Sequence, residues 1–317
     1  MLLCAGGVFV AIQLAAGIAL DYGWPQVRFP VFYQSLERLD HWPRSPNVVL
    51  LGSSRTGHLL READVNEVMR DATGDPAVEC YNACVLGGDV VVAERMFHKL
   101  LGRGVAPRQV LIEVTPEQVC RRNGWLRQYH FMLLRWDDVP GYLGELVRTH
   151  DLPRFISMRC VPLYHYRDPL RKEIARHLPA WDAKPPQSPA VPPAQPARTT
   201  LRDIHDLPRW FRDYAIGGNS AAALERLLGL CRARGIEPIL YSPPLSSAHR
   251  GYYTAEIESP FQAYMADVTQ RYSCRYADYR TLLPDTYFID HHHGGPEAMP
   301  LFSRKIAREV LAPAWNR

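Results

Sequence analysis

The chain has 317 residues, 22% of them charged, with a net charge of +4, enough for one large domain with an insertion or for two small ones. Its Lys and Arg residues are scattered rather than gathered into a block with interleaved aromatics, which excludes nucleic acid as an expected partner. Seven cysteines lack the spacing of a zinc ribbon, since Cys80 and Cys84 have no second pair of ligands; buried thiols are expected, with one or two disulfides open if the domain faces an oxidising compartment.

Residues 1–20, "MLLCAGGVFVAIQLAAGIAL", hold no charged side chain and one Gln, about the length a helix needs to cross a bilayer. An uncleaved single-pass signal anchor is expected, because a basic n-region and a small-x-small cleavage site are both missing. Residues 21–46, aromatic and ending in prolines, read as a membrane-proximal linker. Short apolar runs and amphipathic segments then alternate: strand 47–52, a helix in "READVNEVMRDA", strand 78–83, helix 89–104, strand 109–114. Segment 117–215 breaks the pattern as an insertion whose Pro-rich stretch 184–200 forbids regular structure. Its "RRNGWLRQYHFMLLRW" (121–136) reads either as a contact surface or as an amphipathic helix packed on the domain. Alternation resumes with helix 219–235, opened by an Asn or Ser cap and closed by Gly, then strand 236–242, a helix near 256–272, strand 274–279 and a closing helix 296–311. The expected fold is a three-layer α/β/α sandwich on a parallel five-stranded sheet, covering 47–311 and interrupted once.

Ligands of such sheets bind at the carboxyl ends of the strands, so the turns leaving the strands are where chemistry is sought. The first, "GSSRTG" (52–57), puts Ser53 or Ser54 at a helix amino terminus, a place for a nucleophile or for an ordinary capping serine. Its spacing does not fit the G-x-S-x-G elbow. The second, "YNACVLGGD", ends a strand at Asn82 and offers Gly87 and Gly88 for close backbone approach to a ligand. The last, "YFIDHHHGGPEAM" (287–299), places Asp290 three residues before His293, a carboxylate and a base that a catalytic serine requires. Adjacent loop histidines cannot all face one ion without strain, and no second cluster of His, Cys or acidic residues accompanies them. No metal and no cofactor are therefore expected, and His291 and His292 are the expendable pair.

Together the three turns resemble the SGNH hydrolase superfamily, the GDSL-like esterases. "GSS" supplies Ser54 in place of that family's nucleophile, with Ser53 where its Asp would be; Asn82 and Gly87 match the second block, and Asp290 and His293 the last. "GSSR", "YN" and the late Asp-x-x-His before "PEA" are most similar to a membrane-anchored branch typified by alginate acetylation proteins and by the protein that assists D-alanylation of teichoic acids. The third block departs: "EVTPEQ" has Thr115 where the family has Asn. The resemblance implies Ser54, His293 and Asp290 as catalytic residues, and Gly87, Asn82, Thr115 and Arg55 as oxyanion or substrate residues. It further implies an esterase or O-acyltransferase acting outside the cytoplasm on an acylated envelope glycan or lipid-linked saccharide, with a membrane O-acyltransferase as a partner. The alternative is an inactive relative that binds or scaffolds envelope glycan.

Overall fold

The computed structural model describes residues 2–122, 132–177, 211 and 213–315. The Pro-rich stretch 184–200 lies outside the described residues, as does much of 121–136. The described residues fall into two compact units, one drawn from Met1–Gln34 and Arg127–Gln195, the other from Ser35–Leu126 and Pro196–Arg317.

In the first unit the uncharged amino terminus forms helix α1 (Leu2–Ile18), which continues into a π-helical turn, Ala19–Gly23. The span Cys4–Gly23 is long and apolar enough to cross a membrane, a property that anchors and signal sequences share. Residues 21–46, read as a linker, hold helices Pro25–Arg28 and Pro30–Asp40, and from Ser35 on they are counted in the second unit. Helix α1 packs on helices Leu152–Cys160 and Pro162–His165. Gln13, the one polar residue among the first twenty, accepts from the Leu163 N–H at 3.3 Å. Beyond it, Arg28 donates to the Gly17 carbonyl at 3.0 Å, and Arg28 and Arg159 both pair with the buried Asp21. The part of the insertion between 139 and 177 is thus helical and belongs with the amino-terminal helix.

The second unit is a parallel α/β domain. Strands β1 (Val48–Leu51), β2 (Cys80–Asn82), β3 (Gln109–Glu113), β4 (Glu237–Ser242) and β5 (Arg275–Asp278) form one five-stranded sheet in the order 2-1-3-4-5, every neighbouring pair parallel. The β1 run "VVLL" is fully buried, as a strand covered on both faces should be, whereas β5 at the edge is largely half-exposed. Between the strands lie α2 (Ser54–Leu59), α3 (Glu62–Thr73), α4 (Val90–Gly102), α5 (Gly218–Arg234) and α6 (Ala255–Tyr272), and α7 (Ala298–Ile306) follows β5. The α3 and α5 helices end on Gly74 and Gly235, both left-handed. Helix α5 starts two or three residues earlier than its Asn and Ser suggest, with Gly217 at the cap position and Ser220 buried within the helix.

One core cluster packs Leu50, Leu111, Ile239 and Tyr241 of the sheet against Met69, Phe302 and Ile306, each large side chain contributing about 1.5–3 kcal/mol by leaving water. Cys80, Cys120 and Cys231 are buried thiols, and no cysteine is in a disulfide. In the order 2-1-3-4-5 the chain direction across the sheet switches between β1 and β3, which opens a crevice at their carboxyl ends. The turns after β1 and β3 therefore face the same space.

Candidate active site

The turn after β1 separates the roles of its two serines. Ser53 is the N-cap of α2, its Oγ accepting from the Arg55 N–H at 3.2 Å. The Ser53 hydroxyl also donates to Glu113 Oε1 at 2.7 Å, and its N–H to Oε2 at 2.9 Å. Ser54 is thereby left at the first helical position, where the helix dipole favours negative charge. Gly52 allows this close approach: a Cβ there would meet Thr56 and come within 2.6 Å of Glu113 Oε2.

Ser54 Oγ lies 2.6 Å from His293 Nε2, and His293 Nδ1 lies 2.6 Å from Asp290 Oδ2. A carboxylate only accepts, so Nδ1 carries the proton and donates it to Asp290, and Nε2 accepts from the Ser54 hydroxyl. Asp290 also accepts through Oδ1 the backbone N–H groups of His292 at 2.8 Å and His293 at 2.7 Å. Burial by itself would raise the Asp290 carboxyl; the His293 bond and charge and the two N–H groups overcome it and hold the pKa down at about 2. Ser54 is 9% exposed, and the His293 and Asp290 side chains 19% and 22%, so the group is sheltered but not sealed from solvent.

The loop carrying Asp290 and His293 is pinned locally. Phe288 and Gly294 form an antiparallel bridge, and the Ile289 N–H donates to the His293 carbonyl at 3.0 Å. Gly294 sits against α2 so closely that a Cβ would lie 2.5 Å from Leu59 Cδ2. The loop and the helix carrying Ser54 thus meet in direct contact. His58, one turn along α2, stacks at a tilt with its ring centroid 4.8 Å from that of His293, and burial, followed by the His293 charge, lowers its pKa.

The other expected site residues take different positions. Asn82 is buried and committed to structure: its amide donates to the Leu60 carbonyl at 2.8 Å, and its Oδ1 accepts from the Cys84 N–H at 3.1 Å. Gly87 lies in the turn after β2 with φ +69°. Thr115 has no accessible surface and accepts from Arg55 Nη1 at 3.1 Å. Arg55 is also fully enclosed, paired with Glu117 and 3.8 Å from Glu113. Arg55 and Thr115 therefore present nothing to a substrate here; they hold the turns after β1 and β3 together.

Sequence reasoning missed Glu113, Glu117 and His249. Glu113, the last residue of β3, ties two of the three hydroxyls of the serine turn, accepting from Thr56 Oγ1 at 2.6 Å as well as from Ser53. Burial would raise the Glu117 carboxyl, but the Arg55 guanidinium and His249 hold it well below the usual range. His249, from the short helix Ser247–Arg250, joins His291 and His292 in a buried group. The readable signal was the acidic pair in "EVTPE" at a strand end; His249 had none, being 42 residues from its partner His291.

Among solved structures the chain is similar to the crystal structure of a Bacteroides fragilis protein proposed to be an acylhydrolase, with 13% identity, 91% of this chain and 98% of that chain covered, and a TM-score of 0.39. No protein-family profile matches the chain, and no curated protein matches it.

Proposed function

We propose that the chain is a serine esterase or O-acyltransferase of SGNH type, held at a membrane by its amino-terminal helix and facing the extracytoplasmic side. The observation that carries this reading is the continuous hydrogen-bond line from Ser54 Oγ through His293 to Asp290, at 2.6 Å on each step. Ser54 Oγ attacks the acyl carbonyl carbon while His293 Nε2 takes its proton. Asp290 keeps the imidazole in the required tautomer and stabilises the imidazolium. The oxyanion is held by the N–H of Ser54, at the start of α2, and by that of Gly87. As the tetrahedral intermediate collapses, His293 returns the proton to the leaving alkoxide, and the acyl group stays on Ser54 until water or a sugar hydroxyl removes it. An acylated envelope glycan or lipid-linked saccharide suits an enzyme at a membrane surface, and a membrane O-acyltransferase suits it as a partner.

A second reading, a glycan-binding relative without turnover, is favoured by one feature. The Asn82 amide donates inside the fold and Thr115 is fully buried, which withdraws the side-chain donors of an oxyanion hole. Loss of one donor lowers rate by about 10²–10³-fold, so slow turnover fits the first reading and none fits the second. The purified chain assayed for p-nitrophenol release from the acetate ester, and for acetyl transfer to an oligosaccharide, separates them. Activity lost in Ser54→Ala and in His293→Ala supports the enzyme; three equally inert proteins, or three equally active ones, refute the triad.

A further inference from the structure

We infer that His249, His291 and His292 form a binding site for a divalent transition metal of the zinc class, adjoining the Ser54 group, with the His292 ring centroid 3.9 Å from that of His293. Their rings come from two elements, the short helix Ser247–Arg250 and the loop before α7, yet one ligand atom from each lies within 4.8 Å of the other two. His249 Nδ1 and His291 Nδ1 are 3.1 Å apart, and His292 Nδ1 lies 2.9 Å from Nδ1 and 3.2 Å from Nε2 of His291. Two imidazole nitrogens bound to one tetrahedral zinc at about 2.0–2.1 Å sit roughly 3.3 Å apart, close to these spacings. A single linear hydrogen bond does not account for His292 Nδ1 facing both nitrogens of one ring. All three side chains are nearly enclosed, with residue exposures of 0%, 2% and 8%.

The surroundings fit a cation. While His249 turns Nδ1 toward the other rings, its Nε2 faces Glu117 Oε1 at 3.6 Å and the Tyr253 hydroxyl at 3.2 Å. A carboxylate behind the far nitrogen of a ligating histidine fixes the tautomer and strengthens the ligand. Arg55 brings one positive charge nearby, but Glu117 and Glu113 both pair with it, leaving acidic charge in excess. The site is also held in shape before any ion arrives: Ser246, which opens the short helix, donates from Oγ to the His291 carbonyl at 2.7 Å. Bound metal would tie that helix to the loop holding Asp290 and His293, with a fourth position left for water.

The test uses the full chain, purified in detergent through a tag without histidines, stripped with a chelator and titrated with Zn²⁺ and Co²⁺. One equivalent of Zn²⁺ is expected to bind at micromolar or tighter affinity. Co²⁺ is expected to give the intense visible bands of four-coordination, and zinc X-ray absorption a first shell with three imidazole nitrogens at about 2.0–2.1 Å. His249→Ala and His291→Ala are expected to weaken Zn²⁺ binding at least tenfold, and Ser54→Ala to leave it unchanged. Substoichiometric Zn²⁺ in the wild-type chain, a first shell without imidazole, or histidine variants that bind like wild type would overturn the site. Should either variant fail to fold, the wild-type absorption spectrum alone decides. Because metal is read without turnover, this site and the esterase reading succeed or fail separately.

Discussion

Ser53 and Ser54 are neighbours with different partners, and the difference is set by where α2 begins. Ser53 caps the helix and bonds to Glu113, while Ser54, one residue on, reaches His293. Replacing Ser53 with Ala removes a cap and a donor to a buried acid, and is expected to lower unfolding free energy by about 1–3 kcal/mol in denaturant titrations. Ester turnover per folded molecule should change far less than in Ser54→Ala. Equal losses of turnover in the two variants would contradict this division. The sequence alone left capping and nucleophile open for the pair, because helix propensity does not fix a boundary to one residue. Burial and the two partners do.

Among the elements, β1 was legible because "VVLL" is a short apolar run buried on both faces and bounded by turn residues, whereas the half-exposed edge strand β5 was read from the alternation around it. The turns after β1, after β2 and before α7 were legible as candidate sites for a topological reason, since parallel strands send their carboxyl ends to one side. Two things were not legible. The helices between 139 and 177 carry amphipathic signals, but nothing in such a signal names the surface they pack on, which is α1 for Leu152–Cys160 and Pro162–His165. The gathering of His249 with His291 and His292 depends on a short helix meeting a distant loop, which no local pattern encodes. Contact between elements also makes a prediction at Gly294, where an added methyl would press on Leu59 of α2. Gly294→Ala is expected to displace the loop of His293 relative to Ser54 and to reduce kcat by about 10²-fold, with a smaller effect on thermal stability. A fall confined to stability, with kcat intact, would show that the loop is not positioned by this contact.

For the molecule as a whole, the apolar span Cys4–Gly23 is long and apolar enough to cross a membrane. Arginine placed for the exposed Val10 is expected to add about 2.5–3.5 kcal/mol to the cost of membrane insertion, moving the chain from the membrane to the soluble fraction on carbonate extraction. Unchanged partition would argue against a spanning helix. The central claim concerns Ser54, and covalent labelling tests it most directly. The wild-type chain treated with a fluorophosphonate, digested and sequenced by mass spectrometry is expected to carry one adduct, on Ser54. His293→Ala should reduce labelling by at least tenfold, and Ser54→Ala should abolish it. An unlabelled wild-type chain, or an adduct on any other residue, would contradict the account.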